Sequence, residues 1–598
     1  MSILHPSPRF LSGGSIRARL GLHLRDNDLA IALLSAAIGL VVGLGVLGVH
    51  QLVGLLHTLL FGVPAGGHLS AGRGLAPLAI SIVPVLGGLT LGGLAWLFGR
   101  ITAREIVDPV EANALYGGRM SVVDSLRLTA VTLVSNGSGG SVGLEAAYTQ
   151  LGSGIASRLG QWANLRRSDL RLLVGCGAAA AIAAAFNAPL AGAFYAFELV
   201  IGAYTLPALV PVCLAAVSAG LLPQLLGQPH LFSLEGDLAI HPADYGVFLV
   251  QGVLIGLTAI AVMRSVSLAE TLFRGTGLPG WSRPALGGAL LGGLALVYPQ
   301  VLGSGQGAIQ DALDLHYGLG LAASLLLAKA LAAAISLGSG FRGGLFSSSL
   351  FLGALFGVVL AELLHLALPG LGPQPEALVL VGMAAFGAAI VGAPITMVLL
   401  VLEMTGSLPA AAGVLTGVLM AGMVVRQLFG YSFATWRFHL RGVPIQGAHD
   451  VGWLRELTAK RLMRTDPKTV AASITPADLR RLHPLGGTKT VYALDGEGRY
   501  AGRVDMAHAH ELADEQLPQT VAGLAVGADQ FLLPDTPVRT ALKRFSETGA
   551  ERLPVLDGPV TRHVLGYLSE AYALRRYSLE LERRRSDELG ERSLYGGA

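Results

Sequence analysis

Charge is scarce in this 598-residue chain: Asp, Glu, Lys and Arg together make up 14%, against roughly 25% in ordinary soluble domains. Hydrophobic residues reach 52%, and mean hydropathy is +0.59. These values exclude the string of soluble domains that the length alone would suggest. The net charge of +3 calls for no acidic partner and no nucleic acid. Cysteine is scarcer still. Cys176 and Cys213 both lie in apolar stretches, cannot build a disulfide framework and have no ligand cluster around them; they read as small core residues. No HExxH occurs, the GSG serines lack the preceding Gly of a nucleophile motif, and the histidines are scattered. An intramembrane enzyme therefore has neither metal nor nucleophile to work with.

What is present is apolar sequence in lengths that suit a bilayer. Candidate segments lie near 29–62, 76–98, 172–202, 206–226, 246–266, 284–301, 320–337, 345–367, 377–405 and 409–429. Some are interrupted, as at Ala188-Pro189 and Ala393-Pro394, and 122–135 is too short to span. Broken or short apolar segments signal discontinuous helices around a buried polar site. Glycine, 81 residues, is about twice its usual share of roughly 7%, which suits helices in close contact. Arg9, Arg17, Arg19 and Arg25 precede the first apolar run, which is too long for a signal peptide. The basic flank favours a cytoplasmic N-terminus, hence a multi-pass protein of a bacterial inner membrane. Composition changes after about residue 445. Short strand-like runs (Thr490–Leu494, Leu553–Leu556, Val564–Leu568) alternate with helix-like ones such as Pro537–Thr548. The expected domains are a cytoplasmic segment 1–28, a membrane domain 29–445, an α/β module 446–580 and a charged tail 581–598.

An internal repeat is the most informative feature. Gly137-Ser138-Gly139, Gly143-Leu144-Glu145 and Gly152 recur as Gly338-Ser339-Gly340, Gly344-Leu345-Phe346 and Gly353, at an offset of 201. Ala188-Pro189 and Glu198 recur as Ala393-Pro394 and Glu403, at an offset of 205. Two motifs in one order at nearly one offset indicate two related membrane halves, an arrangement that places a transport site at the repeat interface. Each Gly-rich motif reads as an irregular loop opening a helix. The free N–H groups and positive dipole end of a helix start attract anions, and glycine lets backbone approach an ion closely. Tight helix packing would use the same glycines. A cation transporter would want carboxylates or carbonyls where these motifs offer N–H groups.

Three stretches in order carry a resemblance to the CLC family of chloride channels and proton/chloride exchangers: FNAPLAGAFYAFE (186–198), GSGFRGGLFSSSLFLGALFG (338–357) and GMAAFGAAIVGAPITMVLLVLEMTG (382–406). The resemblance spans about 30–440. It implies an all-α polytopic membrane domain of two inverted-topology repeats, and a homodimer with one pathway per subunit. Glu145 falls at the gating glutamate, whose carboxylate competes with chloride; as a residue alone it could also cap a helix start. Leu345 and Phe346 match residues whose backbone N–H groups face chloride, and Gly143 and Leu144 set the loop. Arg342 follows in the second-half loop, either drawing anions to an entrance or simply solvated.

The departures bear on mechanism. The family's serine hydroxyl is missing from Glu105-Ile106-Val107-Asp108-Pro109. The family's tyrosine hydroxyl aligns with Thr435, with Tyr431 close by. Exchangers place a second acid directly after the glutamate matched by Glu198, and here that residue is Leu199. The expected function is therefore passive anion (chloride) flow gated by an intramembrane glutamate, in a family of voltage-gated chloride channels, with proton-coupled antiport as the alternative.

The C-terminal module resembles a pair of CBS domains, the second clearer (Asp535–Val538, Leu553–Asp557, Val564–Ser569) and the first, about 460–512, weaker. An adenine nucleotide would want an acid three residues after a Ser or Thr. Ser569 is followed by Tyr572, and the first copy offers Asp505 and His508, so a structural role is expected and no cofactor. Gly486–Thr490 mimics part of a phosphate loop but lacks its ending, and reads as a turn before a strand.

Overall fold

The computed structural model describes residues 24, 27–72, 74–101, 106–227, 232, 238–369, 372–441 and 457–589. The basic N-terminal segment, Glu105, the 445/446 boundary and the end of the tail lie outside these residues. The chain divides into two compact units, Met1–Asp450 and Val451–Ala598.

The first unit is helical. Its elements in order are α1 (Asp28–Phe61), α2 (Pro77–Ile101), α3 (Pro109–Leu115), α4 (Val122–Gly137), α5 (Glu145–Trp162), α6 (Arg167–Phe186), α7 (Pro189–Tyr195), α8 (Leu206–Leu225) and α9 (Asp244–Gly275). Then follow α10 (Arg283–Val297), α11 (Gln306–Leu313), α12 (Leu319–Ser339), α13 (Phe346–Ala367), α14 (Pro375–Val391), α15 (Pro394–Thr405), α16 (Leu408–Leu428) and α17 (Phe433–Leu440). Among the described residues, eight helices are long and apolar enough to cross a membrane. Leucines with 40% or more of their surface exposed line several of them, among them Leu33, Leu44, Leu59 and Leu331; in water such a surface would aggregate, and in lipid it costs nothing.

Two expected continuous segments are broken. The 172–202 run ends its first helix at Asn187, in the left-handed conformation, and restarts at Pro189. A π-turn, Ala196–Ile201, then carries Glu198. The 377–405 run breaks in the same way, at Gly392 with φ +84°, before Pro394. The cause is local: proline has no N–H to give the preceding turn and its ring clashes there. The 284–301 run likewise finishes its helix at Val297, before Pro299.

The halves pack as repeats. A Cβ on Gly152 would sit 2.3 Å from Gly177 O, and one on Gly353 would sit 2.2 Å from Gly382 O. The α5–α6 and α13–α14 crossings thus both bring backbone onto backbone. Small residues make this possible, because dispersion contact rather than water exclusion drives helices together in lipid.

The second unit is a two-lobed α/β body. In one lobe β1 (Thr469–Ala471), β2 (Thr490–Leu494) and β3 (Tyr500–Asp505) form a sheet in that order, β1 parallel and β3 antiparallel to β2. In the other, β4 (Arg552–Leu556) pairs antiparallel with β5 (Val564–Ser569) behind α18 (Val538–Thr548). Each lobe has its own core, Leu479, Val491 and Val504 in one and Val538, Phe545 and Leu553 in the other. This is the build expected of a CBS pair. The weaker first copy holds the larger sheet. Asp505 caps the helix after β3, accepting from Ala507 N at 2.9 Å, so its carboxylate is engaged locally. Gly486, at φ +89°, turns the chain ahead of β2.

Candidate anion site

The site forms where the two Gly-rich loops meet. Gly143 N donates to Gly344 O at 2.8 Å, and Gly344 N to Gly143 O at 3.1 Å. Around this bridge, Ser141 N donates to Ser336 Oγ at 3.1 Å and Arg342 N to Ser135 Oγ at 2.9 Å. Each donor and acceptor has its counterpart 201 residues away, so the loops are related by a local two-fold axis. From this bridge α5 and α13 depart, beginning at Glu145 and Phe346. Two helix starts therefore face one place, and their unsatisfied N–H groups and dipoles favour negative charge there.

The acid at that place is Glu145, 4% exposed. Its Oε1 accepts the hydroxyl of Ser347. The backbone N–H groups of Glu145 itself and of Ser347 also act on the carboxylate. Oε2 has no hydrogen-bond partner among the described residues and folds back over Gly143, where a Cβ would lie 2.0 Å from it. Leu144, Leu345 and Phe346 are all buried beside this point. The Phe346 ring packs on Phe186 at 4.9 Å and Tyr195 at 6.2 Å.

The other candidates have partners of their own. Thr435 belongs to a capping box: its hydroxyl accepts Ser432 N at 2.9 Å and contacts Ser432 O at 3.1 Å. Tyr431 stacks on His439 at 4.7 Å, and its hydroxyl meets His439 Nδ1 at 3.3 Å. Arg342 is exposed and in electrostatic contact with Arg437. Leu199 packs against an apolar cluster that includes Val174 and Val200. Glu198 and Glu403 cross over between repeats. Glu198 accepts from Ile395 N and Thr396 N, both at 2.9 Å, and from Thr396 Oγ1 at 2.6 Å. Glu403 accepts from Leu190 N at 2.7 Å and Ala191 N at 2.8 Å. Each acid caps the helix that restarts after the other half's proline.

Sequence reasoning missed four side chains. Ser347 was hidden in a run of serines. Tyr195 is in electrostatic contact with both Glu145 and Asp108, and with the Thr149 hydroxyl. Asp108 caps α3 through Val110 N at 2.8 Å and interacts electrostatically with Glu111, Arg441 and Arg437. Lys329 is fully buried, donating to Val301 O at 3.1 Å and Gly303 O at 2.9 Å. Among the described residues no group of three His, Cys, Asp or Glu could hold a metal ion.

Residues 87–426 match the family model described as voltage gated chloride channel. The chain is 31% identical over 405 residues to the voltage-gated ClC-type chloride channel ClcB of Citrobacter koseri, covering 66% of this chain and 96% of that one. Among solved structures, a slow cyanobacterial Cl–/H+ antiporter superposes with TM-score 0.60 at 25% identity, over 69% of this chain and 98% of the other. A eukaryotic CLC transporter superposes with TM-score 0.60 over 92% of this chain and 98% of the other; at 18% identity that likeness is one of fold.

Proposed function

The chain belongs to the voltage gated chloride channel family, whose members are ion channels and transporters, and from that premise we propose that it passes chloride down its gradient along a path gated by Glu145. The observation that carries this reading is the seat of the Glu145 carboxylate, at two facing helix starts beside Ser347. A carboxylate and a chloride ion are both monovalent anions drawn to the same dipoles, so one excludes the other. Protonation or displacement of the carboxylate frees the seat. Leu199 supports passive flow, since a leucine packed in an apolar cluster carries no proton. In this reading the protein works as a homodimer, as the family resemblance implies, in a bacterial inner membrane; its likeness to a bacterial ClcB supports the bacterial setting. Leu144, Leu345 and Phe346 supply backbone N–H groups, whereas Gly143, expected as a further donor, spends its N–H on Gly344 O at 2.8 Å and serves the bridge instead; Arg342 raises anion concentration at an entrance.

Proton-coupled antiport is the second reading. It is favoured by Asp108, a second acid whose charge, like that of Glu145, acts on Tyr195, and by the likeness to a Cl–/H+ antiporter. Reconstitution in liposomes separates the two. Passive flow predicts a reversal potential that ignores the proton gradient, and antiport predicts one that follows it. Under either, Glu145→Gln raises basal chloride flux and flattens its pH dependence. Unchanged flux and pH profile would remove Glu145 from the gate.

A further inference from the structure

Three serines, Ser347, Ser348 and Ser349, open α13. Only one of them meets the Glu145 carboxylate. The Ser349 hydroxyl turns back on Phe346 O at 2.6 Å. Ser348 Oγ has no partner among the described residues. The Ser347 side chain, on a residue 1% exposed, gives its hydroxyl to Glu145 Oε1. Its repeat counterpart, 201 positions earlier, is Ala146. The donor therefore exists in one half only, and the local two-fold symmetry of the backbone does not account for it.

Side-chain hydroxyls are otherwise short at this site. Ile106 stands where the family resemblance expects a serine. Thr435, where it expects a tyrosine, spends its hydroxyl on Ser432. A buried hydroxyl that loses its acceptor bears the full cost of desolvation. An anion that enters when the carboxylate leaves would spare Ser347 that cost.

We propose that the Ser347 hydroxyl is the side-chain anion ligand of the path, donating to Glu145 when the carboxylate occupies the seat and to the transported anion when it does not. The proposal rests on the reading of Glu145 as a gate. An O–H donor strengthens most toward compact anions of high charge density, so Ser347 also sets selectivity. Chloride is held in preference to the diffuse thiocyanate ion. The handover keeps the hydroxyl satisfied in both states and lowers the barrier to exchanging carboxylate for anion.

The test measures chloride binding by titration calorimetry on the purified full-length protein. Glu145→Ala empties the seat and provides the reference. Adding Ser347→Ala to it removes a hydrogen bond to a charged group, and chloride should bind roughly tenfold more weakly. In liposomes, Ser347→Ala alone should reduce the preference for chloride over thiocyanate, a ratio that a purely structural defect would leave in place. Ser347→Thr keeps a hydroxyl and should restore both. Ser349→Ala, which removes the hydroxyl bound to Phe346 O, serves as a folding control and should change neither. If the double variant binds chloride as tightly as Glu145→Ala and the selectivity ratio is unmoved, the proposal is overturned. If Ser347→Ala weakens binding but Glu145→Ala leaves flux unchanged, the ligand stands and only the gate reading falls.

Discussion

Gly143 and Gly344, at the same position in the two repeats, exchange both of their backbone hydrogen bonds, at 2.8 and 3.1 Å. Their surroundings nevertheless differ. A Cβ on Gly143 would lie 2.0 Å from Glu145 Oε2, whereas on Gly344 its nearest neighbour would be Ala146 Cβ at 3.6 Å, an ordinary contact. The same substitution should therefore have unequal effects. Gly143→Ala displaces the carboxylate and should raise basal chloride flux several-fold in liposomes, with a flatter pH profile. Gly344→Ala should stay close to the unsubstituted protein. Equal effects would mean that the bridge itself, and not the seat of the carboxylate, controls flux.

Glu198 holds the start of α15 through three hydrogen bonds, two from backbone N–H groups and one from the Thr396 hydroxyl. Glu403 holds the start of α7 through two. Hydrogen bonds to charged groups contribute about 1.5–3 kcal/mol each in buried settings. Both acids are only partly buried, so the lower end applies. At that lower end, Glu198→Ala should destabilise the membrane unit by roughly 4 kcal/mol and Glu403→Ala by roughly 3 kcal/mol. Thermal unfolding in detergent reads the difference. Glu198→Gln keeps one acceptor oxygen and should recover part of the loss.

The reciprocity of these two acids shows what the sequence could reveal. Their spacing from Ala188-Pro189 and Ala393-Pro394 is visible as a repeat, and the prolines mark where each helix must restart. The strand Thr490–Leu494 is legible from its β-branched and aromatic residues. Its neighbour Tyr500–Asp505 is not, because Gly502, at φ +152°, and Arg503 dilute the pattern. Ser347 was illegible for a different reason. Nothing in Phe346-Ser347-Ser348-Ser349 says which hydroxyl turns toward a residue 202 positions away; the helical phase of α13 decides it. A contact made only in three dimensions leaves no spacing in one.

Asp108 offers a sharper test of coupling than the missing acid at Leu199. Its electrostatic partners are Glu111 on α3, Arg437 on α17 and Arg441 at the end of α17, and Tyr195 on α7 feels both its charge and that of Glu145. Arg441 Nη2 is itself paired with Glu111 Oε2 at 3.1 Å. Asp108→Asn keeps the cap on Val110 N but carries no titratable proton. Under antiport, chloride should still move while the reversal potential stops following the proton gradient. Under passive flow, the reversal potential is the same before and after substitution. Tyr195→Phe should reproduce the Asp108→Asn result if the tyrosine hydroxyl joins the two acids.

Lys329 is an ammonium group fully enclosed in α12, satisfied by Val301 O and Gly303 O and set 5.8 Å from the centre of the Phe351 ring. An ionisable group inside a membrane protein is expensive and marks function unless it holds structure. Here the geometry joins the two. Gly303 N donates to Gly139 O at 3.1 Å, and Gly139 opens the loop that leads to Gly143 and Glu145. Lys329 thus pins a turn that in turn supports the first anion loop. Lys329→Met fills the space but leaves two buried carbonyls without donors, at a cost of roughly 3 kcal/mol. The expected outcome is a lower unfolding temperature together with raised basal flux, because the loop under Glu145 loses its support. Combining Lys329→Met with Glu145→Gln should then add little further flux, since the gate is already open. An additive increase would show that Lys329 acts on the path independently of the loop.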